Sequence, residues 1–142
     1  MRSHPVLDHT FTRNKTCFTG DNVSIACIER TGGAAATVAY RWLKSRINPE
    51  GLLDKMVSKN KYVVNSSIFE MIPQSMFKEI NKVDEKEEEN KQMYGSELLL
   101  REVTKNHSGF YACIAANKNG GAYVSMYLSV VGKMHISYYI RL

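Results

Sequence analysis

An all-β fold, a sandwich or barrel of about seven short strands, is what the sequence predicts. Three observations carry that expectation. Large apolar residues alternate with small or polar ones in several short segments. Glycine- and asparagine-rich turns separate those segments. No apolar pattern runs long enough, uninterrupted, to read as a helix.

The first segment is Val23-Ser24-Ile25-Ala26-Cys27, with the period of two of a half-buried strand. Thr31 to Ala36 (TGGAAA) is small and flexible and reads as a loop. Val38, Tyr40 and Trp42 then share one face of a second strand, which turns Arg41 outward. Residues 45–60 lose periodicity and carry Pro49 and Gly51, and Lys61 to Asn65 is a short candidate strand. From Ile68 to Ile80 the apolar spacing is roughly helical, but Pro73 interrupts it. The acids Asp84, Glu85, Glu87, Glu88 and Glu89 read as an exposed loop. Leu98, Leu100 and Val103 mark the next strand, and Tyr111, Cys113 and Ala115 share a face of the one after it. Asn117 to Gly121 is a hairpin turn, since Asn-Gly supplies the positive φ that such turns need. The returning strand places Val124, Met126, Leu128 and Val130 inward.

Cys27 lies mid-strand, Trp42 follows on the next strand, and Tyr111 precedes Cys113 by two. That order is the one found in immunoglobulin domains. Ser96 to Thr104 (SELLLREVT), followed by Ser108 to Cys113 (SGFYAC), resembles the region from strand E to strand F of the I-set, as does Trp42-Leu43-Lys44. Within that set the wording is similar to the extracellular immunoglobulin domains of fibroblast growth factor receptors. Tyr127-Leu128-Ser129-Val130-Val131 and the Asn117-Lys118 turn echo the ending of those domains. The resemblance implies a Greek-key, two-sheet sandwich over residues 20–131. Residues 1–19 form an N-terminal extension or A strand, and residues 132–142 a tail or the start of a following segment. It also implies a disulfide between Cys27 and Cys113, and a signature made by Trp42, Leu100, Gly109 and Tyr111. The Trp42 ring would pack on the bridge, and the Tyr111 hydroxyl would bond back to the preceding corner.

Two departures from the pattern matter. The family has an aspartate four residues before the corner tyrosine, paired with a basic residue. Here the position holds His107, so that salt bridge is absent or pH-dependent. The span from Trp42 to Ser96 exceeds the usual one by roughly fifteen to twenty residues. The expectation is a long irregular insertion between strands C and E.

The chain of 142 residues carries 19 basic and 14 acidic side chains, a net charge of +5. Arg41, Lys44, Arg46, Lys55, Lys59 and Lys61 crowd together in sequence. They form a candidate patch for an anionic partner of the heparan-sulfate kind; nucleic acid is not expected. Four sequons, at Asn14, Asn22, Asn65 and Asn106, are candidate glycosylation sites and favour a secreted context. Asn106 lies in an exposed corner, whereas Asn22 begins a strand. Cys17 is left over, either as a free or buried thiol or as half of a bridge to an unseen partner. The four histidines have no metal-ligand spacing, and no phosphate loop, nucleophile elbow or paired carboxylates occur, so neither metal, cofactor nor catalysis is expected.

The N-terminus has no apolar run of the signal-peptide kind, and no segment reaches the 18 apolar residues of a membrane span. An extracellular reading therefore makes the chain a piece of a longer membrane or secreted protein. Three functions follow from the resemblance. The first is a ligand-binding module of a cell-surface receptor, of the growth-factor receptor tyrosine kinase type. The second is an adhesion module that binds another immunoglobulin domain. The third is an intracellular structural module of a muscle-type scaffold. A disulfide separates the third from the others, because cytosolic thiols stay reduced.

Overall fold

The computed structural model describes residues 4–30, 38–84 and 91–133. The expected loop at Thr31 to Ala36, the acids Glu85 to Glu89 and the segment after Lys133 lie outside the described residues.

Nine strands of the described residues form two sheets. One holds β1 (Leu7–Asp8), β3 (Val23–Glu29), β7 (Lys91–Leu100) and β6 (Phe77–Asp84), in the order β1-β3-β7-β6. The other holds β2 (Lys15–Phe18), β9 (Gly120–Val131), β8 (Gly109–Asn117), β4 (Ala39–Ser45) and β5 (Phe69–Met71), in the order β2-β9-β8-β4-β5. Every pairing is antiparallel except β2 with β9. The N-terminal segment thus pairs with β3 in one sheet and then crosses to run parallel to β9 in the other. This is the sandwich architecture that the resemblance implies, with strand β5 added beside β4.

The alternation read from the sequence fills the space between the sheets. Val23, Ile25 and Cys27 from β3 meet Leu98 and Leu100 from β7, Trp42 from β4, Tyr111 and Cys113 from β8, and Val124, Met126 and Leu128 from β9, all buried. Burial of each such side chain stabilises the fold by about 1.5–3 kcal/mol before chain entropy is counted. Glu29 ends β3 inside the sandwich at 6% exposure, where it accepts a hydrogen bond from the Tyr40 hydroxyl at 3.1 Å. The hairpin between β8 and β9 turns at Lys118-Asn119, and the positive φ, +142°, falls on Gly120 rather than on the asparagine.

The span read as irregular is ordered. It contains a helix, α1 (Glu50–Ser58), which Pro49 precedes as its N-cap residue, and then β5 and β6. Pro49 does not break the helix because proline is tolerated where the N–H has no intrahelical partner. The outer face of the second sheet would otherwise expose Leu43, Ala112, Ile114 and Phe69; α1 covers them with Leu53, and all five are buried. This explains why adjacent residues Trp42 and Leu43 are both buried, at 0% and 1% exposure: each face of β4 has its own core. Lys61 to Asn65 is not a strand. Its alternation is real, with Tyr62 and Val64 against the second core and Val63 84% exposed, but its backbone joins no ladder. The helical spacing from Ile68 to Ile80 belongs to two strands joined around Pro73 by a short 3-10 turn, Gln74–Met76.

Candidate functional site

The centre of the domain is a cross-brace. Cys27 on β3 and Cys113 on β8 form a disulfide between the sheets, with Cα atoms 6.3 Å apart, and both are fully buried. Trp42 is the register partner of Cys113 on β4 and packs in the same core. Its indole N–H donates to Ser96 Oγ at 2.9 Å, across the sandwich from β4 to β7. A buried hydroxyl and a buried N–H satisfy each other there, so neither carries a desolvation penalty.

The corner between β7 and β8 is tied three times. Tyr111 donates its hydroxyl proton to the His107 carbonyl at 2.6 Å, which is the tyrosine corner expected from the sequence. Burial pushes the Tyr111 phenol up. Among the described residues His107 has no ion-pair partner in the place of the family's aspartate. Its Nδ1 instead accepts the Thr104 backbone N–H at 2.8 Å, closing the short 3-10 turn Lys105–His107. Lys44 is half-buried: its ammonium sits 5.7 Å from the centre of the Tyr111 ring and donates to the Asn106 carbonyl. Burial holds the Lys44 ammonium below its ordinary value, against the pull of Glu70. Gly109 begins β8 at φ +151°, and a Cβ there would come within 3.2 Å of Lys44 Cε and the Ser45 carbonyl. The position therefore takes glycine for two reasons, conformation and space.

Beside this corner lies an open groove of about 1300 Å³. Its walls come from the end of β4, from residues 64–71 and from the corner. Lys44 and Arg46 line it together with Lys105, which the sequence reading did not single out. Arg41, Lys55, Lys59 and Lys61 do not line it. Lys55 is on α1, Lys59 caps its end and Lys61 follows it, so the six cations crowded in sequence are not brought to one site.

The four sequon asparagines are all exposed but differ in their bonding. Asn14 Oδ1 accepts the Tyr127 N–H at 2.8 Å, and Asn22 Oδ1 the Glu102 N–H at 2.9 Å. Asn65 Oδ1 accepts from both the N–H and the hydroxyl of Ser67. Asn106 is held through its backbone carbonyl. Cys17 is buried at 8% exposure on β2, and burial pushes its thiol up.

A family model described as "VEGFR-1-like, immunoglobulin-like domain" matches residues 6–131, nearly the whole of the described sandwich. The chain belongs to the VEGFR-1-like immunoglobulin-like domain family. The match is to an immunoglobulin-like domain family; the narrower likeness to fibroblast growth factor receptors is not specifically shown. Comparison with the curated proteins gives no significant match. Among solved structures, the I67–I69 I-band fragment of titin superposes with a TM-score of 0.55 at 17% identity, over 93% of this chain and 34% of the fragment. The Ig7 domain of Dscam1 gives 0.51 at 17% identity, over 90% and 97%. The titin domains z1z2, solved in complex with telethonin, give 0.54 at 14% identity, over 95% and 51%. The chain spans about a third of the first of these, and nearly all of the single Dscam1 domain. At these identities the likeness is one of fold.

In this VEGFR-1-like domain α1 covers the outer face of the larger sheet. On β9, Tyr123 donates its hydroxyl to Asp54 Oδ1 of α1 at 2.6 Å, and Ser125 bonds to the Glu50 carboxylate at 3.4 Å. Burial pushes the Tyr123 phenol up, and the Asp54 carboxylate adds to the shift. The sequence signal for this arrangement was Leu52, Leu53 and Met56 at helical spacing, masked by the flanking Pro49 and Gly51. Among the described residues no cluster of histidine, cysteine and carboxylates could hold a metal, and no helix is long and apolar enough to cross a membrane.

Proposed function

We propose that this chain is an extracellular module of a cell-surface receptor, which binds a protein ligand or another immunoglobulin domain and turns over no substrate. The observation that carries the reading is the Cys27–Cys113 bridge at the centre of the core. A disulfide needs an oxidising compartment to form and persist. Membership of the VEGFR-1-like immunoglobulin-like domain family supports the receptor over the adhesion role. The Dscam1 neighbour keeps adhesion as the second reading, and the titin neighbours keep an intracellular structural role as the third.

The test is non-reducing peptide mapping of the chain isolated from its native source. The expected product is a linked pair of peptides carrying Cys27 and Cys113. Recovery of both as free thiols would favour the structural, titin-like role. Receptor and adhesion roles separate on the full-length transcript: a single membrane span followed by a kinase domain is the expected outcome, and an array of such domains without a kinase is the adhesion outcome.

A further inference from the structure

Two sequons line one groove. Asn106 and Ser108 of Asn106-His107-Ser108 stand on its corner wall, and Ser66 and Ser67 of Asn65-Ser66-Ser67 stand on the other. We propose that Asn106 carries an N-linked oligosaccharide whose first sugars lie along this groove, so that the chain's own glycan covers this side of the domain and partners engage elsewhere. The proposal rests on the extracellular reading above.

The attachment point is exposed but rigid. Lys44 anchors the Asn106 carbonyl, the Thr104–His107 cap closes its turn, and the Tyr111 hydroxyl fixes the next residue. The carboxamides of Asn14, Asn22 and Asn65 are each engaged by a neighbouring N–H, whereas the Asn106 carboxamide makes no hydrogen bond to a described residue. The backbone that would carry the sugar is fixed, and the asparagine itself lies on the groove wall. The lining suits a carbohydrate. Arg46, Lys105 and the Ser66 hydroxyl donate to hydroxyl and acetamido oxygens, and the Ser67 hydroxyl, whose proton is given to Asn65, accepts from sugar hydroxyls. Ile47 and Met71, 53% and 46% exposed, offer apolar surface to the faces of the sugar rings. An N-glycan held on that wall has the bulk to lie over these side chains.

The experiment is secretion of the full chain from a eukaryotic cell, glycopeptide mass spectrometry, and lysine footprinting with a soluble amine-reactive reagent. Asn106 should be filled more completely than Asn22. Lys105 should label several-fold more slowly than in an Asn106→Gln variant, while Lys78 and Lys118, outside the groove, label alike in both. Asn106→Gln is the cleaner variant, since Ser108→Ala would also strand the Val130 N–H that Ser108 Oγ accepts at 2.9 Å. The Cys27–Cys113 linkage, mapped in the same samples, reports folding and compartment. An empty Asn106 in protein that carries the bridge overturns the proposal and leaves the extracellular reading intact. A filled Asn106 with unchanged Lys105 labelling overturns it too, because the glycan then leaves the groove open. Free Cys27 and Cys113 in the secreted protein would remove the reading itself.

Discussion

The indole of Trp42 works in two ways. Its ring fills the space beside Cys113, and its N–H satisfies the buried Ser96 hydroxyl on the opposite sheet. Trp42→Ala should therefore destabilise the domain by about 3–5 kcal/mol, as large aromatic truncations in cores do. Trp42→Phe keeps most of the ring but strands Ser96 Oγ, and should cost about 1–3 kcal/mol. Urea titration reads both, and a loss below about 1 kcal/mol for the alanine variant would place the ring outside the core. One buried and two half-buried tyrosines make a second residue-level prediction. The phenols of Tyr40, Tyr111 and Tyr123 are all raised, first by burial. A raised folded-state value means that the unfolded chain loses these protons first. Their contribution is whole below the ordinary tyrosine value of 10.0 and is lost progressively as pH rises beyond it. Stability measured from pH 8 upward should fall above pH 10, and Tyr123→Phe should flatten that fall; an unchanged slope would show that its phenol titrates alike in both states. At this scale the sequence was most informative where spacing fixes a face. Cys27, Trp42, Tyr111 and Cys113 were readable because strand parity gave their faces and the resemblance to immunoglobulin domains implied their partners. Lys44 was not, because parity gives a side chain's starting direction and not where a four-carbon tail comes to rest.

Elements were legible in proportion to how much of their pattern the backbone ladder sets. Strands β3 and β9 alternate because each has the main core on one face, whereas β4 and β8 bury one face in each core. The helix α1 was missed because its stability is tertiary. Nine residues are too few to hold a helix in water by propensity alone, and Gly51 weakens it further. What keeps it is Leu53, 0% exposed, inserted among Leu43, Phe69, Ala112 and Ile114, with Tyr123 bonded to Asp54 at its side. The converse error, a strand at Lys61 to Asn65, has the same origin: packing on the second core imposes a two-residue period without a ladder. Leu53→Ala should cost about 2–4 kcal/mol, within the range of buried leucine truncations. Leu53→Asp should detach α1 altogether while β3, β7 and β8 stay protected. Amide exchange distinguishes these outcomes. Rapid exchange confined to residues 50–58 and their neighbours on β9 is expected, and equal loss of protection across both sheets would mean that α1 is part of the main cooperative unit.

At the scale of the whole molecule, two sheets are held face to face by burial, by the Trp42–Ser96 bond and by one covalent link. The link joins residues 86 apart in sequence, so it closes most of the chain into a loop. In the chain-entropy model a loop of that length lowers the entropy of the unfolded chain enough to stabilise the fold by about 4–5 kcal/mol. Domains of this size have total stabilities of about 5–15 kcal/mol, so the bridge is a large fraction of the whole. Replacing both cysteines by alanine also removes two fully buried sulfurs, which adds a packing loss to the entropic one. The double variant Cys27→Ala, Cys113→Ala should therefore unfold at a much lower urea concentration. Its denaturant slope should be steeper, because an unfolded chain without the cross-link is more expanded and exposes more surface. Those two changes separate the bridge's action on the unfolded state from simple cavity formation, which lowers the midpoint and leaves the slope alone. A shift below about 1 kcal/mol with an unchanged slope would mean that the sandwich holds equally well reduced. The physical motive for placing this domain in an oxidising compartment would then be gone, and the intracellular structural role would become the better account of the fold.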